Sequence, residues 1–294
     1  MARATVNGQI ELEYDTIGSP DDPTLLLIMG LTAQLIAWPD KFCSLLADRS
    51  YHVVRFDNRD CGLSTKFDGV HVDIAALMAA GMSGQSLPEV PYTLTDMAAD
   101  AVGLLDHLGI DRAHLFGVSM GGMIVQTIAI EHPDRVASLT SGMSTTGDPD
   151  VGTPTPEAMS VLMSPPSRTR AAYQDAAVHH AGVWGSPGLF DEPLLRRTAG
   201  ESWDRGYDPM GTVRQLAAIL ASGSRSAALA KLDVPTLVIH GTADTLVQIS
   251  GGERTAEVIP DAKLLVIEGM GHDLAPPLWP RLIEAVAAHA TEHR

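Results

Sequence analysis

Residues 117–121 read Gly-Val-Ser-Met-Gly, a single hydroxyl set between two glycines at the end of the apolar run AHLFGV. A serine hydroxyl is a weak nucleophile until a base removes its proton. Chance alone gives Gly-x-Ser-x-Gly in about one chain in six of this length and composition, so the pattern counts only with its setting. Here an apolar, strand-like run precedes Ser119 and the small-residue stretch 121–132 follows, the context of a strand-to-helix nucleophile elbow. Such a turn forces its serine into a strained backbone conformation, and small neighbours relieve the crowding. The hydroxyl then stands at a helix N-terminus, where developing negative charge is favoured. The competing reading is a helix-capping serine in a glycine-rich turn.

A nucleophile needs a base, and the chain offers 11 histidines. His272 lies in EGMGHD, on the loop leaving the apolar run 264–267, where Gly269 and Gly271 allow a sharp turn. His132, His289 and His293 fall at helix ends. His179 and His180 are adjacent, with no acidic or sulfur partner at metal-ligand spacing, so no metal is expected. His272 is therefore the expected base. It needs a carboxylate to hold its tautomer and stabilise the imidazolium. Asp244 ends PTLVIHGTAD, another apolar run passing into a glycine-containing loop. Asp57, in RFDNRDCGLS, is the competitor, although its neighbours Arg59 and Asp60 favour an ion pair or a loop brace there. Asp148 and Asp150, after the run 136–142, are conceivable acids but lie in a linker.

Residues this far apart need a scaffold that delivers them to one edge. The runs TLLLIM (24–29), HVVRF (52–56), AHLFGV (113–118), TLVIH (236–240) and LLVI (264–267) are short and almost wholly apolar. Strands of a parallel sheet, buried on both faces, read this way. Residues 6–14 contain Asn7-Gly8 and then alternate, which predicts an exposed opening hairpin. Residues 93–109 carry Leu94, Met97, Ala98, Ala101, Val102, Leu105 and Leu108 at helical steps, with Thr93 and Asp96 to cap and Gly109 to stop. Further helices are expected over 121–132, closed by Pro133, and over 280–293. The alternation predicts an α/β fold with a doubly wound, mostly parallel sheet. It breaks twice. Residues 65–91 are loose and rich in glycine and methionine, as an ordered loop over the site or a mobile one would be. Residues 147–231 open with GDPDVGTPTP and then read as several short helices, which predicts a helical cap inserted between core segments 1–146 and 232–294.

Composition bounds the rest. With 294 residues, 45% hydrophobic and 19% charged, the chain can bury a large core as an ordinary soluble protein. A formal net charge of −16 argues against nucleic acid or an anionic membrane as the main partner. The opening MARATVNGQIELEYD has no apolar signal region, and no stretch approaches the roughly 18 apolar residues of a membrane span. A cytoplasmic location is expected. Cys43 and Cys61 are too few for a disulfide framework.

Taken together, the Gly-x-Ser-x-Gly turn, the VIHGTAD acid strand, the GMGH loop and a D-x-R-x-x-G-x-S segment (Asp57, Arg59, Gly62, Ser64) resemble the α/β-hydrolase superfamily over nearly the whole chain. Within it the sequence is similar to the capped serine esterases and lipases, including the aclacinomycin methylesterase-like proteins. The resemblance implies the α/β-hydrolase fold and a triad in the chain order Ser119, Asp244, His272. It also implies a cofactor-free enzyme that cleaves carboxylic esters of small to medium apolar molecules through an acyl-enzyme. The backbone N–H groups of Leu31 and Met120 are the expected oxyanion donors. Many relatives carry His-Gly where this chain has Met29-Gly30-Leu31, but backbone rather than side chain donates there. Cofactor-free haloperoxidase or perhydrolase chemistry and carbon–carbon bond hydrolysis share this triad, and a non-catalytic ligand-binding protein on the same fold is a distant alternative. In the inserted segment Met159, Met163, Trp184, Leu189, Phe190, Trp203 and Met210 serve either its own core or an apolar pocket over Ser119.

Overall fold

The computed structural model describes residues 1–83 and 85–293 and, of Met82, the backbone alone. Its strands are β1 (Ala2–Val6), β2 (Ile10–Ile17), β3 (Thr24–Ile28), β4 (His52–Phe56), β5 (Ala113–Val118), β6 (Val136–Gly142), β7 (Thr236–Gly241) and β8 (Lys263–Ile267). They form one sheet in the order β1-β2-β4-β3-β5-β6-β7-β8. The first two pairings are antiparallel, and every pairing from β4 to β8 is parallel. The helices are α1 (Asp40–Ala47), α2 (Ile74–Ser83), α3 (Leu94–His107), α4 (Met120–Glu131), α5 (Pro156–Leu162), α6 (Arg170–Trp184), α7 (Glu192–Gly206), α8 (Pro209–Ser222), α9 (Ser226–Leu229), α10 (Ser250–Val258) and α11 (Trp279–Glu292).

Alternate residues of a strand face opposite sides of its sheet, and here each side has its own core. Leu26, Ile28, Val54 and Leu115 pack with Met97, Ala101 and Leu105 of α3 and Ile124 and Ile128 of α4. Leu25, Leu27, Val53 and Phe116 pack with Phe42 and Leu46 of α1 and Leu282 and Val286 of α11. Each fully buried leucine or phenylalanine contributes about 1.5–3 kcal/mol. The apolar runs at β3, β4 and β5 are buried throughout because helices cover both faces. Helix α3 starts where Thr93 and Asp96 form a capping box and ends at Gly109, whose φ is +68°. This is a doubly wound α/β architecture.

Four expectations are corrected in detail. β8 is not buried on both faces: it is the edge strand, and Leu264 and Val266 are 39% and 37% exposed. The opening hairpin turns through positive φ at Asn7 and Gly8, but Ala4, Val6 and Leu12 join the core. Residues 65–91 contain α2 rather than a continuous loop, with residue 84 outside the described residues. The inserted helices are not all short, since α6 and α7 have 15 residues each and α8 has 14. No described helix is long and apolar enough to cross a membrane.

Helices α5 to α9 all lie between β6 and β7 in the chain, and the two arms that lead to and from them run side by side. Arg225 donates its backbone N–H to Thr146 O at 2.9 Å and its guanidinium to Thr145 O at 2.8 Å and to Gln126 Oε1 at 3.1 Å. Asp148 accepts from Ser224, from Ser226 at 2.6 Å and from Arg254 at 2.9 Å. A Cβ on Gly147 would lie 2.3 Å from Gly223 O, so the arms approach more closely than side chains there permit.

Candidate active site

Ser119 follows the last residue of β5 and precedes α4, with φ +57° and ψ −123°. That is a left-handed conformation a non-glycine residue avoids unless its surroundings impose it. The surroundings do so from both sides. Ser119 N–H donates to Gly142 O at 2.9 Å, and its carbonyl accepts from Met123 N–H and from the Ser144 hydroxyl. The flanking glycines are steric necessities: a Cβ on Gly117 would sit 2.1 Å from Gly121 O, and one on Gly121 would sit 2.0 Å from Ile28 O.

The loop after β3 lies against this serine. A Cβ on Gly30 would be 2.9 Å from the Ser119 Cβ and 3.4 Å from its Oγ, so this loop runs close against the hydroxyl. Met120 is the first residue of α4, so its N–H has no partner within the helix. The Leu31 loop is held from outside. Asn58 Nδ2 donates to Met29 O at 3.1 Å, and Gln215 of α8 accepts from Thr32 N–H at 2.8 Å while donating to Arg59 O at 2.7 Å. Gln215 is fully buried and was not singled out from sequence, because nothing near it in the chain marks it.

Asp244 and His272 meet. The loops after β7 and β8 are stitched by Ala243 N–H to Met270 O at 2.9 Å and Gly269 N–H to Thr242 Oγ1 at 2.9 Å. Asp244 Oδ2 lies 2.7 Å from His272 Nδ1, and Oδ1 accepts from Leu246 and Val247 N–H. This leaves Nε2 as the nitrogen for a substrate-side proton. Burial pushes the Asp244 carboxyl up, but the neighbouring imidazoles of His272 and His240 outweigh it and hold it at about 2. A carboxylate so held keeps the imidazole oriented through Nδ1.

Asp57 does other work. Its oxygens accept from Leu35 N–H at 2.7 Å and Leu63 N–H at 2.9 Å, and pair with Arg205 of α7 at 3.1 Å. Its neighbours do not pair with each other: Arg59 binds Asp100 of α3 at 2.6 Å, and Asp60 binds Arg214 of α8 at 2.8 Å. The D-x-R-x-x-G-x-S segment is thus a buried brace between sheet and inserted helices. Asp148 and Asp150 are both engaged by Arg254.

The residues expected to line an apolar pocket divide. Met163, Phe190 and Met210 are 46%, 37% and 38% exposed. Phe190 and Leu189 sit in the α6–α7 connection. Met159, Trp184 and Trp203 are half-buried. Trp203 stacks on Tyr207 at 4.9 Å between ring centroids, and Tyr173 lies 4.6 Å from Tyr207. Tyr173 and Tyr207 line a narrow crevice with Thr32, Cys61 and Gly62, next to the Leu31 loop. Cys43 and Cys61 are buried and unbridged, and burial pushes the Cys43 thiol up to about 12, so it is no thiolate nucleophile. Among the described residues, one group has metal-ligand spacing, His289, Glu292 and His293 at the end of α11, and there Glu292 already pairs with Lys263 at 2.6 Å.

A family profile described as alpha/beta hydrolase fold matches residues 23–275. Rhodomycin D methylesterase DauP from a Streptomyces species is 28% identical over 318 residues, covering 98% of this chain and 97% of that protein. The 3-oxoadipate enol-lactonase 2 of Acinetobacter baylyi is 25% identical, with 94% and 93% covered. The crystal structure of the enol-lactonase from Burkholderia xenovorans superposes with a TM-score of 0.75 at 23% identity, over 99% of this chain and 100% of that one.

Proposed function

The chain belongs to the alpha/beta hydrolase fold family and is an ester hydrolase, and within that class we propose that Ser119 is its nucleophile, His272 its base and Asp244 the acid that orients the base. The observation that carries this is a serine held at φ +57° on one sheet edge, with a 2.7 Å aspartate–histidine pair on the same edge. Ser119 Oγ attacks the ester carbonyl while His272 Nε2 takes its proton. The tetrahedral oxyanion lies between the Leu31 and Met120 N–H groups, each worth about 3 kcal/mol of transition-state stabilisation. His272 then returns the proton to the departing alcohol, and a water, activated by the same nitrogen, releases the acid from Ser119.

The relatives' names support the bond type: one is a methylesterase and one a lactonase. The rings of Tyr173, Trp203 and Tyr207, beside the Leu31 loop, support an apolar substrate of small to medium size. Helices α5 to α9 act as a cap over the sheet edge in this reading, with half-buried Met159, Trp184 and Trp203 as further candidates for its inner lining. Wild type and Ser119→Ala, assayed on p-nitrophenyl esters of graded acyl length, test the assignment. Turnover should fall on the order of 10⁴- to 10⁶-fold in the variant, and a fluorophosphonate should add once to the wild-type protein, on the Ser119 peptide. Undiminished turnover in the variant, or an adduct elsewhere, rejects it.

A further inference from the structure

The end of α6 and the connection that follows it bind the loop that carries His272 at three successive residues, Gly271, His272 and Asp273. Trp184 O accepts from His272 N–H at 2.5 Å. Ser186 is fully buried, and its hydroxyl accepts from Gly271 N–H at 2.9 Å while donating to Asp273 Oδ1 at 2.5 Å. Its backbone N–H donates to Asp273 Oδ2 at 2.9 Å. One hydroxyl therefore spans the residues on either side of His272. Two glycines make the approach possible: a Cβ on Gly271 would lie 2.2 Å from the Gly185 carbonyl carbon, and one on Gly185 would lie 2.9 Å from Asp273 Oδ2. The last turn of α6 reaches the acid as well, since Thr245 Oγ1, beside Asp244, donates to Val183 O at 2.8 Å.

We propose that Ser186 and Asp273 are positioning residues that fix the His272 loop, so that the base is aligned only while the α6–α7 connection is seated on the sheet edge. The proposal rests on the reading of Ser119, His272 and Asp244 above. Neither residue touches substrate. They act by removing the freedom of a loop that starts with two glycines, Gly269 and Gly271, and would otherwise carry a mobile imidazole. Displacing the inserted helices would break these three residues' bonds, so cap position and catalytic competence are one equilibrium in this protein.

The test is a double-mutant cycle of Ser186→Ala and Asp273→Asn on a p-nitrophenyl ester, with Ser119→Ala alongside. A misplacement of about 1 Å costs up to about 100-fold in rate, so kcat in Ser186→Ala should fall roughly 10- to 100-fold with KM little changed. Fluorophosphonate labelling of Ser119 should slow in step, because it uses the same base. Asp273→Asn keeps the shape and one acceptor and should give a smaller loss of the same kind. The double variant should be no worse than Ser186→Ala alone, the non-additivity of a shared contact. Wild-type kcat in both single variants, with Ser119→Ala inactive, overturns the latch and leaves the triad standing. Turnover surviving in Ser119→Ala overturns the site reading and the latch with it. If Ser186→Ala does not fold, Asp273→Asn decides alone: a kcat loss without a KM change supports the latch, and wild-type kinetics reject it.

Discussion

Asp57 and Asp244 are both buried after parallel strands, and their partners separate their tasks. Asp244 faces an imidazole, whereas Asp57 faces a guanidinium and two loop amides. Asp244→Asn should leave the fold intact and lower kcat about 10⁴-fold, because the amide favours the wrong tautomer of His272. Asp57→Asn should act on stability, weakening a buried ion pair whose full disruption costs about 3–5 kcal/mol. Urea unfolding together with kcat of the folded protein separates the two, and a larger kcat loss in Asp57→Asn would falsify the choice of acid. Ser119, His272 and Asp244 stand out in the sequence as candidates because each follows an apolar run in a glycine-bearing turn. Ser186 and Gln215 do not, since their partners lie 87 and 183 residues away and no local pattern records them.

Among the elements, legibility followed burial. β3, β4 and β5 are covered on both faces and announce themselves as unbroken apolar runs, while β8 shares that composition but stands at the edge. An apolar run shows that a strand exists, and its place in the sheet order is a property of the whole topology. α2 escaped because IAALMAAGMS is apolar or small all round and has no stripe to reveal a period. α6 escaped for the opposite reason: none of its 15 residues is fully buried, so no apolar face had to repeat. α8 is fastened through Arg214, whose buried guanidinium pairs with Asp60 at 2.8 Å and Asp208 at 3.0 Å. Arg214→Ala should therefore destabilise by about 3–5 kcal/mol, the penalty of stranding a buried carboxylate. Urea midpoints check this, and a loss under about 1 kcal/mol would show that Tyr92 and the Phe67 amide satisfy Asp60 unaided.

For the molecule as a whole, Asp148 and Asp244 are two carboxylates held well below their ordinary range. Burial pushes Asp148 and Asp244 up, but hydrogen bonds from Ser224, Ser226 and Arg254 to the first, and the imidazoles of His272 and His240 beside the second, leave both at about 2. Groups with depressed folded-state values add stability that is complete above their ordinary range and fades as protons bind the folded form. Stability should therefore hold above about pH 4 and decline toward about pH 2, and in urea titrations across that window Asp148→Asn should flatten the decline. A slope unaffected by Asp148→Asn would place the acid sensitivity elsewhere. The side-by-side course of residues 145–147 and 223–225 reaches beyond this one sequence. A segment that leaves and returns at one point costs its host little in closure entropy, about 0.6 kcal/mol for each doubling of length. At such a junction a segment of different length should be exchangeable while the sheet keeps its register, an outcome that the far-ultraviolet dichroism and urea midpoint of a shortened variant would check. Any graft must bring two arginines for Asp57 and Asp60 and a hydroxyl for Asp273, or it leaves the first two carboxylates without their guanidinium partners and the third without its hydroxyl donor.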